Sequence, residues 1–365
     1  MRYRLGDICT IVSGSTPKTD IPEYWDGNVK WITPAELNDN SYIISDSVRK
    51  ITELAVTKTG LSSFPAGTVI LSSRAPIGKV AIAGCDMYCN QGFKNLICSE
   101  VINNRYLYWF LKGNTEYLNS LGRGATFKEI SKKIVSDIEI NVPEIKVQEE
   151  AVHILENISG VIQLRKQELQ ILDGLIKARF VEMFGDPVQN PFGWEQKKFD
   201  EICENLDYRR KPITSSDRVE GIYPYYGASG IVDYVADYLF DEDILLVSED
   251  GANLLMRSTP IAFSVSGKVW VNNHAHVVRF EEMSLQKYVE IYFSLIDISD
   301  SITGSAQPKL NQAKLNAMII PIPKKHLLES YLTFLNQVDK SKAEVQKSLD
   351  EEQLLFDSLM QQYFG

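Results

Sequence analysis

The sequence predicts an α+β protein made of two similar domains, joined by two long helices that pair as an antiparallel coiled coil with pseudo-two-fold symmetry. Three observations predict this fold: a long internal repeat, two helical stretches with regularly spaced apolar residues, and short β-rich runs between the repeated segments. The chain has 365 residues and is 44% apolar, which is enough to fill a packed core in each of two domains.

The internal repeat covers the tail of each half of the chain. Its offset is constant at 180 residues, as from Gly124 to Gly304 and from Pro143 to Pro323, and the stretches before the tails diverge. A duplicated unit with a variable middle suits a target made of two half-sites. Duplication for stability alone is the alternative. The predicted organisation is a first domain at residues 1–143, a long helix at 144–185, a linker and second domain at 186–323, and a second long helix at 324–365.

Each tail is predicted to form a helix of about 37 residues, about 55 Å long. The first tail has no proline between Pro143 and Gly185, and apolar residues in both tails recur with the 3.5-residue spacing of a coiled coil. The predicted helix-pairing residues are Leu155, Ile158, Ile162, Leu169, Leu172 and Ile176 in the first helix and Leu335, Val338, Val345, Leu349, Phe356 and Leu359 in the second.

Polar residues within these stripes predict the orientation of the helices. Antiparallel pairing would bring Arg165 close to Glu352, and it would bring Arg179 close to Asp339. Opposite charges at these positions would fix the register. The alternative is that each helix buries its apolar stripe on its own domain.

The domain bodies alternate short β-rich runs with turn signals. The runs are residues 69–71, 80–82 and 96–97 in the first half and 244–247, 261–265 and 277–278 in the second. One amphipathic helix follows in each half, at residues 105–111 and 285–295. This order predicts α+β domains with a curved sheet rather than a doubly wound one.

Composition argues against several classes of protein. The apolar runs are far shorter than the roughly 18 residues of a membrane span, and the chain does not open like a signal peptide, so we expect a cytoplasmic protein. The five cysteines form no CxxC pair, which argues against a disulfide framework and a zinc site. His274 and His276 alternate as in a strand, so a structural or DNA-facing role is favoured over metal binding, and we expect no metal.

The formal net charge of −10 argues at first against a nucleic-acid-binding protein, because binding to phosphates needs clustered lysine and arginine. Residues 1–185 are balanced, with 21 basic and 21 acidic side chains, and residues 186–365 have 17 and 27. DNA binding would therefore depend on local patches, and partner subunits would complete a basic clamp.

Candidate DNA-binding residues lie in polar loops and at strand ends. Residues 13–19 offer hydroxyls and one cation, which suit phosphate oxygens, although a plain turn is the alternative and the Gly-Lys-Ser/Thr ending of a P-loop is missing. Arginine can read guanine, and asparagine or glutamine can read adenine. The candidates are Ser15, Thr16, Lys18, Arg74, Lys79, Arg123, Thr126 and Lys128 in the first half and Arg209, Arg210, Lys211, Ser229, Asn253, Arg257, Gln307 and Lys309 in the second. Taken singly, each is also explained as a solvated surface residue.

Several motifs resemble those of the specificity subunits of type I restriction-modification systems. The Phe-Gly-Asp-Pro sequence at residues 184–187, followed by Asn190-Pro191 and Gly193-Trp194, resembles the junction between their repeats. Residues 225–230, 243–246 with 250–252, and 272–277 resemble their target recognition domains, and residues 13–17 with Trp25, Gly27 and Trp31 resemble another subtype of that domain. The resemblance covers essentially the whole chain.

This resemblance implies that each domain reads one half of a bipartite DNA site and that the helices set the number of unspecified base pairs between the halves. It implies two methylation subunits, which bring S-adenosylmethionine and methylate adenine. It also implies two restriction subunits, which bring ATP- and magnesium-dependent translocation and cleavage. No cofactor is expected in this chain.

The residues themselves predict no catalysis. The chain has no methyltransferase motif of the Asn-Pro-Pro-Tyr type, and Asp186 and Glu195 are spaced too closely for a nuclease site with Lys197. A fused methyltransferase would need a cofactor-binding fold for which the chain has no room. We therefore expect a non-catalytic specificity subunit, and the alternative is a coiled-coil scaffold that does not read DNA directly.

Overall fold

The computed structural model describes residues 1–124, 128–304 and 307–365. The chain forms two compact units. Unit 1 consists of residues 1–165 with 348–365, and unit 2 consists of residues 166–347. Both boundaries fall inside long helices, so each unit contains part of both helices. The predicted domain ranges instead treat each helix as a segment of its own.

Unit 1 has a body of short strands and helices. Its strands are β1 (Arg2–Arg4), β2 (Cys9–Ser13), β3 (Trp25–Ile32), β4 (Ile43–Ile44), β5 (Lys50–Ile51), β6 (Val69–Leu71), β7 (Val80–Ala83), β8 (Tyr88–Cys89), β9 (Lys94–Cys98) and β10 (Glu139–Asn141). Its body helices are α1 (Leu5–Ile8), α2 (Glu53–Thr59), α3 (Asn104–Gly113), α4 (Thr115–Ser120) and α5 (Lys132–Ser136). The strand order is β2-β9-β6-β7-β4 in one sheet and β5-β3-β8 in another, and β1 pairs with β10.

The first long helix, α6 (Ile145–Phe184), connects the bodies along the chain. The strands of unit 2 are β11 (Glu195–Lys198), β12 (Glu204–Asn205), β13 (Glu220–Gly227), β14 (Gly230–Val235), β15 (Phe240–Asp241), β16 (Ile244–Ser248), β17 (Ala262–Val265), β18 (Lys268–Val271), β19 (Ala275–Arg279) and β20 (Ile319–Ile322). Its body helices are α7 (Phe199–Ile202), α8 (Asn253–Met256), α9 (Met283–Leu295) and α10 (Gln312–Asn316), and the second long helix is α11 (Lys325–Phe364).

The two bodies share one architecture. In unit 2 the strand order is β12-β19-β16-β17 in one sheet and β14-β13-β18-β15 in the other, and β11 pairs with β20. A parallel pair recurs in the second sheet of each body, as β3 with β8 and as β13 with β18. The short helix before each tail is capped in the same way, by the side chain of Ser131 in unit 1 and of Asn311 in unit 2. The predicted α+β class and the duplication are confirmed.

The apolar stripe of the long helices is buried as predicted. All twelve predicted helix-pairing residues are buried or half-buried. In contrast, Leu164, Ile171 and Leu354 lie outside the stripe and are 64%, 70% and 73% exposed. Burial follows the 3.5-residue spacing, which is the pattern expected when one face of a helix packs and the other does not.

One ion pair joins the segments of α6 and α11 in unit 1, where Arg165 Nε lies 3.6 Å from Glu352 Oε1, which confirms that predicted pair. In unit 2 the segments run antiparallel: Lys342 Nζ lies 2.7 Å from Asp173 Oδ1, and, further toward the end of α6 and the start of α11, the Tyr331 hydroxyl donates to the Ile176 carbonyl at 3.1 Å. Coiled-coil geometry over the whole length stays a prediction.

The second predicted ion pair is wrong. Arg179 Nη1 lies 2.8 Å from Glu182 Oε2, one turn along the same helix, and its guanidinium faces the ring of Phe334 instead of pairing with Asp339. A partner three residues away is reached at a smaller entropic cost than one on another helix.

The body cores also take up the ends of the long helices. In unit 2, Phe180 of α6 stacks on Tyr288 of α9, with ring centroids 5.0 Å apart. In unit 1, Phe364 at the end of α11 packs against Tyr106 of α3 at 4.9 Å. Leu155 of α6 belongs to the core of unit 1 and Leu335 of α11 belongs to the core of unit 2, so part of each stripe packs on the body of its own half. Phe180 and Phe364, at the far ends of the two helices, pack instead on the body of the other half.

Candidate nucleic-acid interface

Four polar segments meet at the end of β6 in unit 1. The Thr16 hydroxyl donates to the side chain of Gln91. The Gly92 carbonyl accepts from Ser73 N at 2.7 Å, and the Ser73 carbonyl accepts from Ile130 N at 2.9 Å. These contacts join the segments into one surface. We call it surface 1, and it consists of residues 13–18, 73–74, 90–92, 123–124 and 128–129.

The first loop of surface 1 is held closely against the sheet. Gly14 permits this approach, since a Cβ there would lie 2.1 Å from the carbonyl oxygen of residue 89. The indole N–H of Trp25 donates to the Lys18 carbonyl, and that of Trp31 donates to the Ser15 carbonyl, both at 3.1 Å. The side chains of the predicted residues Ser15, Thr16 and Lys18 are exposed. The loop thus offers two hydroxyls and one ammonium group from a fixed backbone.

Glu129 forms the centre of the other half of surface 1. Its carboxylate lies 2.9 Å from Arg74 Nε and 3.2 Å from the buried Lys94 Nζ. Arg123 and Glu129 exchange two backbone hydrogen bonds. Burial raises the pKa of Glu129, but hydrogen bonds from Lys94 and Arg74 outweigh it, so the pKa is lowered. The ionised carboxylate of Glu129 therefore holds Arg74 and Lys94, and Arg123 and Lys128 are exposed cations on the same surface.

Two first-half candidates do not belong to surface 1. Lys79 is half-buried, and its ammonium group donates to the Leu37 carbonyl at 2.6 Å. Thr126 lies outside the described residues. DNA contact by either residue stays a prediction.

Unit 2 forms a corresponding surface around the end of β16. Leu310 N donates to the Glu249 carbonyl at 2.8 Å, as Ile130 does to Ser73 in unit 1, and Gly251 N donates to the Pro308 carbonyl at 3.0 Å. The Ser248 hydroxyl donates to the carbonyl of residue 228. We call this surface 2, and it consists of residues 228–230, 249–253, 272–274, 303–304 and 307–309. The candidates Ser229, Gln307 and Lys309 are exposed on it, and Lys211 is exposed outside it.

A buried ion network lies beneath surface 2. His276 is 1% exposed, and its Nδ1 lies 2.6 Å from Asp207 Oδ2. Arg210 reaches both Asp207, at 3.2 Å, and Glu249, at 2.6 Å. Lys309 Nζ lies 3.0 Å from the other oxygen of Glu249. The network thus links an exposed cation of the loop to the interior of the unit.

The carboxylates of this network are ionised. Burial raises the pKa of Asp207, but the hydrogen bond and charge of His276, together with Arg210, outweigh it and lower the pKa overall. Burial likewise opposes the shift at Glu249, whose pKa is lowered by hydrogen bonds from Arg210 and Lys309. Paired and hydrogen-bonded charges are the form in which ionised groups are tolerated in an interior.

Asp207, Glu249 and His276 also have the spacing of metal ligands, with candidate ligand atoms within 4.8 Å of one another. However, the guanidinium of Arg210 already bridges the two carboxylates. The second imidazole nitrogen of His276 lies 2.8 Å from the Leu310 carbonyl. The donor set therefore fits an ion-pair network better than a metal site.

Three other second-half candidates have partners within the protein. Arg209 pairs with Glu242 at 2.5 Å. Arg257, at φ +53°, donates to the carbonyls of residues 293 and 296 at the end of α9, and burial lowers its pKa. The Asn253 amide bonds to the backbone of Thr259. These side chains shape loops, and DNA contact by them stays a prediction.

Sequence reasoning missed the residues that anchor the loops, such as Lys94, Glu129, Asp207 and Glu249. A partial signal existed, since Glu129 and Lys309 occupy the same position of the repeat with opposite charges. Their partners could not be found in this way, because the strand segments that carry them fall in the diverged middle of each half.

Comparison with solved structures supports the fold. The chain resembles the crystal structure of a type I restriction-modification system S subunit from M. genitalium, with a TM-score of 0.61 and 14% identity, covering 100% of this chain and 96% of that one. At this identity the likeness concerns the fold. None of the helices in the part of the chain that the structure describes is long and apolar enough to cross a membrane.

Comparison of sequences identifies the family. The type I restriction modification DNA specificity domain matches residues 1–173 and 191–353. The chain is 30% identical over 362 residues to the type I restriction enzyme MjaIX specificity subunit of Methanocaldococcus jannaschii, covering 90% of this chain and 84% of that protein. It is 22% identical over 346 residues to the EcoprrI specificity subunit of Escherichia coli, covering 87% and 82%.

The duplicated fold and the two matched stretches define a protein with two DNA recognition domains. The chain belongs to the type I restriction-modification DNA specificity family. It is a specificity subunit of such a system, as the sequence motifs predicted.

Proposed function

We propose that surface 1 and surface 2 each read one half of a bipartite DNA site and that the chain contributes no catalysis of its own. The observation that carries this proposal is the recurrence of one loop frame with different side chains. The backbone bond from Ile130 to Ser73 matches that from Leu310 to Glu249. Equivalent frames with different donors and acceptors suit two half-sites of different sequence.

The two surfaces differ in charge in a way that bears on this role. Surface 1 carries three exposed cations, Arg74, Arg123 and Lys128, and the carboxylate of Glu129, which pairs with Arg74, so it suits phosphate and guanine contacts. Surface 2 mixes Gln307 and Lys309 with Asp250, whose carboxylate lies 2.9 Å from His274 Nδ1. Electrostatic attraction to DNA would therefore be stronger in unit 1, and hydrogen bonding would contribute more of the selectivity in unit 2.

We further propose that two methylation subunits pack on the exposed apolar residues of the long helices. Leu164 and Leu354 in unit 1 and Ile171 and Leu175 in unit 2 are 44% to 73% exposed. Clustered exposed apolar side chains commonly mark protein interfaces. S-adenosylmethionine for adenine methylation, and ATP with magnesium for restriction, would be bound by the methylation and two restriction subunits, and the complex would act on DNA in the cytoplasm.

The test is a binding selection. The chain is copurified with its methylation subunits and mixed with a library of random duplexes at fixed salt, and the bound DNA is sequenced. We expect enrichment of a gapped bipartite sequence. Arg74→Gln should relax the preference in one half-site only, and Gln307→Ala in the other half-site only.

The selection also tests the alternative of a scaffold. A complex that assembles fully and enriches no sequence would support a scaffold and contradict direct reading. Relaxation of both half-sites by either single variant would contradict the assignment of one half-site to each surface.

A further inference from the structure

Arg49 of unit 1 is an exposed cation that lies outside the residues of surface 1. Its guanidinium carbon lies 4.0 Å from the ring centroid of Trp25 and 5.7 Å from that of Trp31. The two indoles meet edge to face at 5.2 Å. Their ring faces therefore offer a guanidinium a defined position through cation–π attraction.

The backbone at Arg49 is fixed as well. The hydroxyl of the buried Ser47 donates to the Arg49 carbonyl at 2.7 Å and accepts from Trp31 N at 2.9 Å. Stacking uses the face of a guanidinium and leaves the N–H groups on its edge able to donate. Arg49 is thus held in place with its donors still directed to solvent.

This arginine lies beside surface 1. The same Trp25 and Trp31 donate their indole N–H groups to the carbonyls of Lys18 and Ser15. One aromatic pair therefore positions both Arg49 and the hydroxyl-rich loop. Among the residues that the structure describes, no carboxylate lies within 4.0 Å of the Arg49 guanidinium.

Unit 2 also has an arginine over an aromatic ring, but there the arginine is paired with a carboxylate. Tyr225 occupies the place of Trp31 in the parallel strand pair. Its hydroxyl accepts from Ile213 N, which lies after β12, a strand of the other sheet of unit 2. Arg218 lies over this ring at 4.5 Å. Unlike Arg49, it pairs with a carboxylate, that of Asp233 at 3.1 Å.

We infer that Arg49 binds a DNA phosphate beside the half-site read by unit 1, while Arg218 has a structural role. The inference rests on the proposed function of the two surfaces. A stacked, unpaired and exposed arginine is preorganised for an anion, since little side-chain entropy remains to be lost on binding. An arginine already paired with a carboxylate would have to give up that partner first.

The experiment measures DNA affinity of the complex with the methylation subunits as a function of salt. The probe is a duplex carrying the enriched bipartite site, and the variants are Arg49→Gln, Arg49→Lys and Arg218→Gln. Loss of one phosphate contact lowers the slope of log K against log salt by about 0.9. We expect this change for Arg49→Gln, with an affinity loss of about tenfold at low salt, and with no change in the bases selected.

The other variants separate charge from stacking and from folding. Arg49→Lys should keep the wild-type slope with weaker binding, because the charge remains but the planar stack is lost. Arg218→Gln should leave the slope unchanged, and its melting curve reports any loss of folding in unit 2.

The inference fails if Arg49→Gln binds with wild-type affinity and slope. It also fails if the variant changes the selected bases with the slope unchanged, since that result indicates a base contact. Absence of any bipartite enrichment with the wild-type complex would instead contradict the proposed function, so the two failures can be told apart.

Discussion

Surface 1 and surface 2 hold the same loop with ion pairs of opposite polarity. In unit 1 the loop supplies the carboxylate of Glu129, and the strand end and its neighbour supply Arg74 and Lys94. In unit 2 the loop supplies the cation of Lys309, and the strand end supplies Glu249. The duplicated backbone therefore fixes where the loop is held, while the sign of each charge can change as long as its partner changes too.

The two units also differ in how much charge they bury beneath the surfaces. Phe93 and Ala275 face Ser72 and Ser248 in matching strand pairs, and the next residue along each strand is a buried nitrogen-bearing side chain, Lys94 in unit 1 and His276 in unit 2. In unit 1 the cation reaches the loop carboxylate directly. In unit 2 Asp207, Arg210 and Glu249 intervene, so more charge is buried. Unit 2 should consequently depend more strongly on its ion network for stability.

The largest expected effect comes from Asp207→Ala. This change leaves His276 and Arg210 buried without their shared carboxylate, and removal of one partner from a buried network costs about 3–5 kcal/mol. Glu129→Ala in unit 1 is the matched variant and should cost less, about 1–3 kcal/mol, because it leaves the buried Lys94 without its carboxylate while the Ser73 hydroxyl still accepts from Lys94 Nζ at 3.2 Å. Urea unfolding followed by hydrogen exchange in each unit measures both, and equal losses would contradict the difference in depth.

Acid should destabilise unit 2 more than unit 1. The pKa values of Asp207 and Glu249 are lowered in the folded protein, so their stabilisation is present above the unfolded-state values near about 4 and is lost as the pH falls through the folded-state values. Glu129 is lowered too, but it is more exposed, so unit 1 should lose less. Exchange protection of β19 and of β9 between neutral pH and pH of about 3 compares the two losses. A larger loss of protection in β9 than in β19 would contradict this expectation.

Charge reversal in the loops should have an intermediate effect. Lys309→Glu places a carboxylate beside Glu249 and should weaken the bonds between Thr303 and Lys309 by about 1 kcal/mol more than Lys309→Met does. Glu129→Lys, with Glu129→Met as its control, should do the same beside Arg74. Exchange of the loop amides gives the measurement. If the loop amides exchange at the same rate in Lys309→Glu and Lys309→Met, the sign of the charge at this position does not affect the stability of the loop.

The smallest effect is expected in the long helices, where polarity is also reversed. In unit 1, α6 supplies the cation Arg165 and α11 the carboxylate Glu352, whereas in unit 2 α6 supplies Asp173 and α11 supplies Lys342. Partly exposed pairs of this kind contribute about 0.2–1 kcal/mol. Double-mutant cycles on each pair should give values in this range, with the less exposed Arg165 pair above the Lys342 pair. A cycle above about 2 kcal/mol would mean that these charges hold the helices together.

The long helices and their buried stripe could be predicted because periodic spacing is a local property of the chain. The pair of Arg165 with Glu352 followed from the register of the stripe. Arg179 does not pair with Asp339 as the register predicts, because Glu182 on the same helix is closer in sequence and pairs with it. The loop networks could not be predicted, because Asp207 and His276 are 69 residues apart and no spacing rule connects them.

Arg257 illustrates a second limit. An exposed arginine on a polar loop and an arginine that caps helix carbonyls look the same in a sequence. Only the left-handed backbone at Arg257 and the end of α9 beside it distinguish them. The aromatic stacking of Arg49 cannot be predicted for a related reason, since the sequence identifies Trp25 and Trp31 as motif residues but does not show that their rings meet beside a cation.

Each unit contains the end of the long helix that belongs to the other half of the chain, which has a consequence for folding during synthesis. The core of unit 1 includes Phe356 and Leu359, which the ribosome makes only after all of unit 2. The body formed by the earliest residues must therefore wait with part of its apolar surface uncovered, while unit 2 can complete its own core first. Folding order during translation is thus expected to run opposite to the order of synthesis, with the domain made first being the last to close.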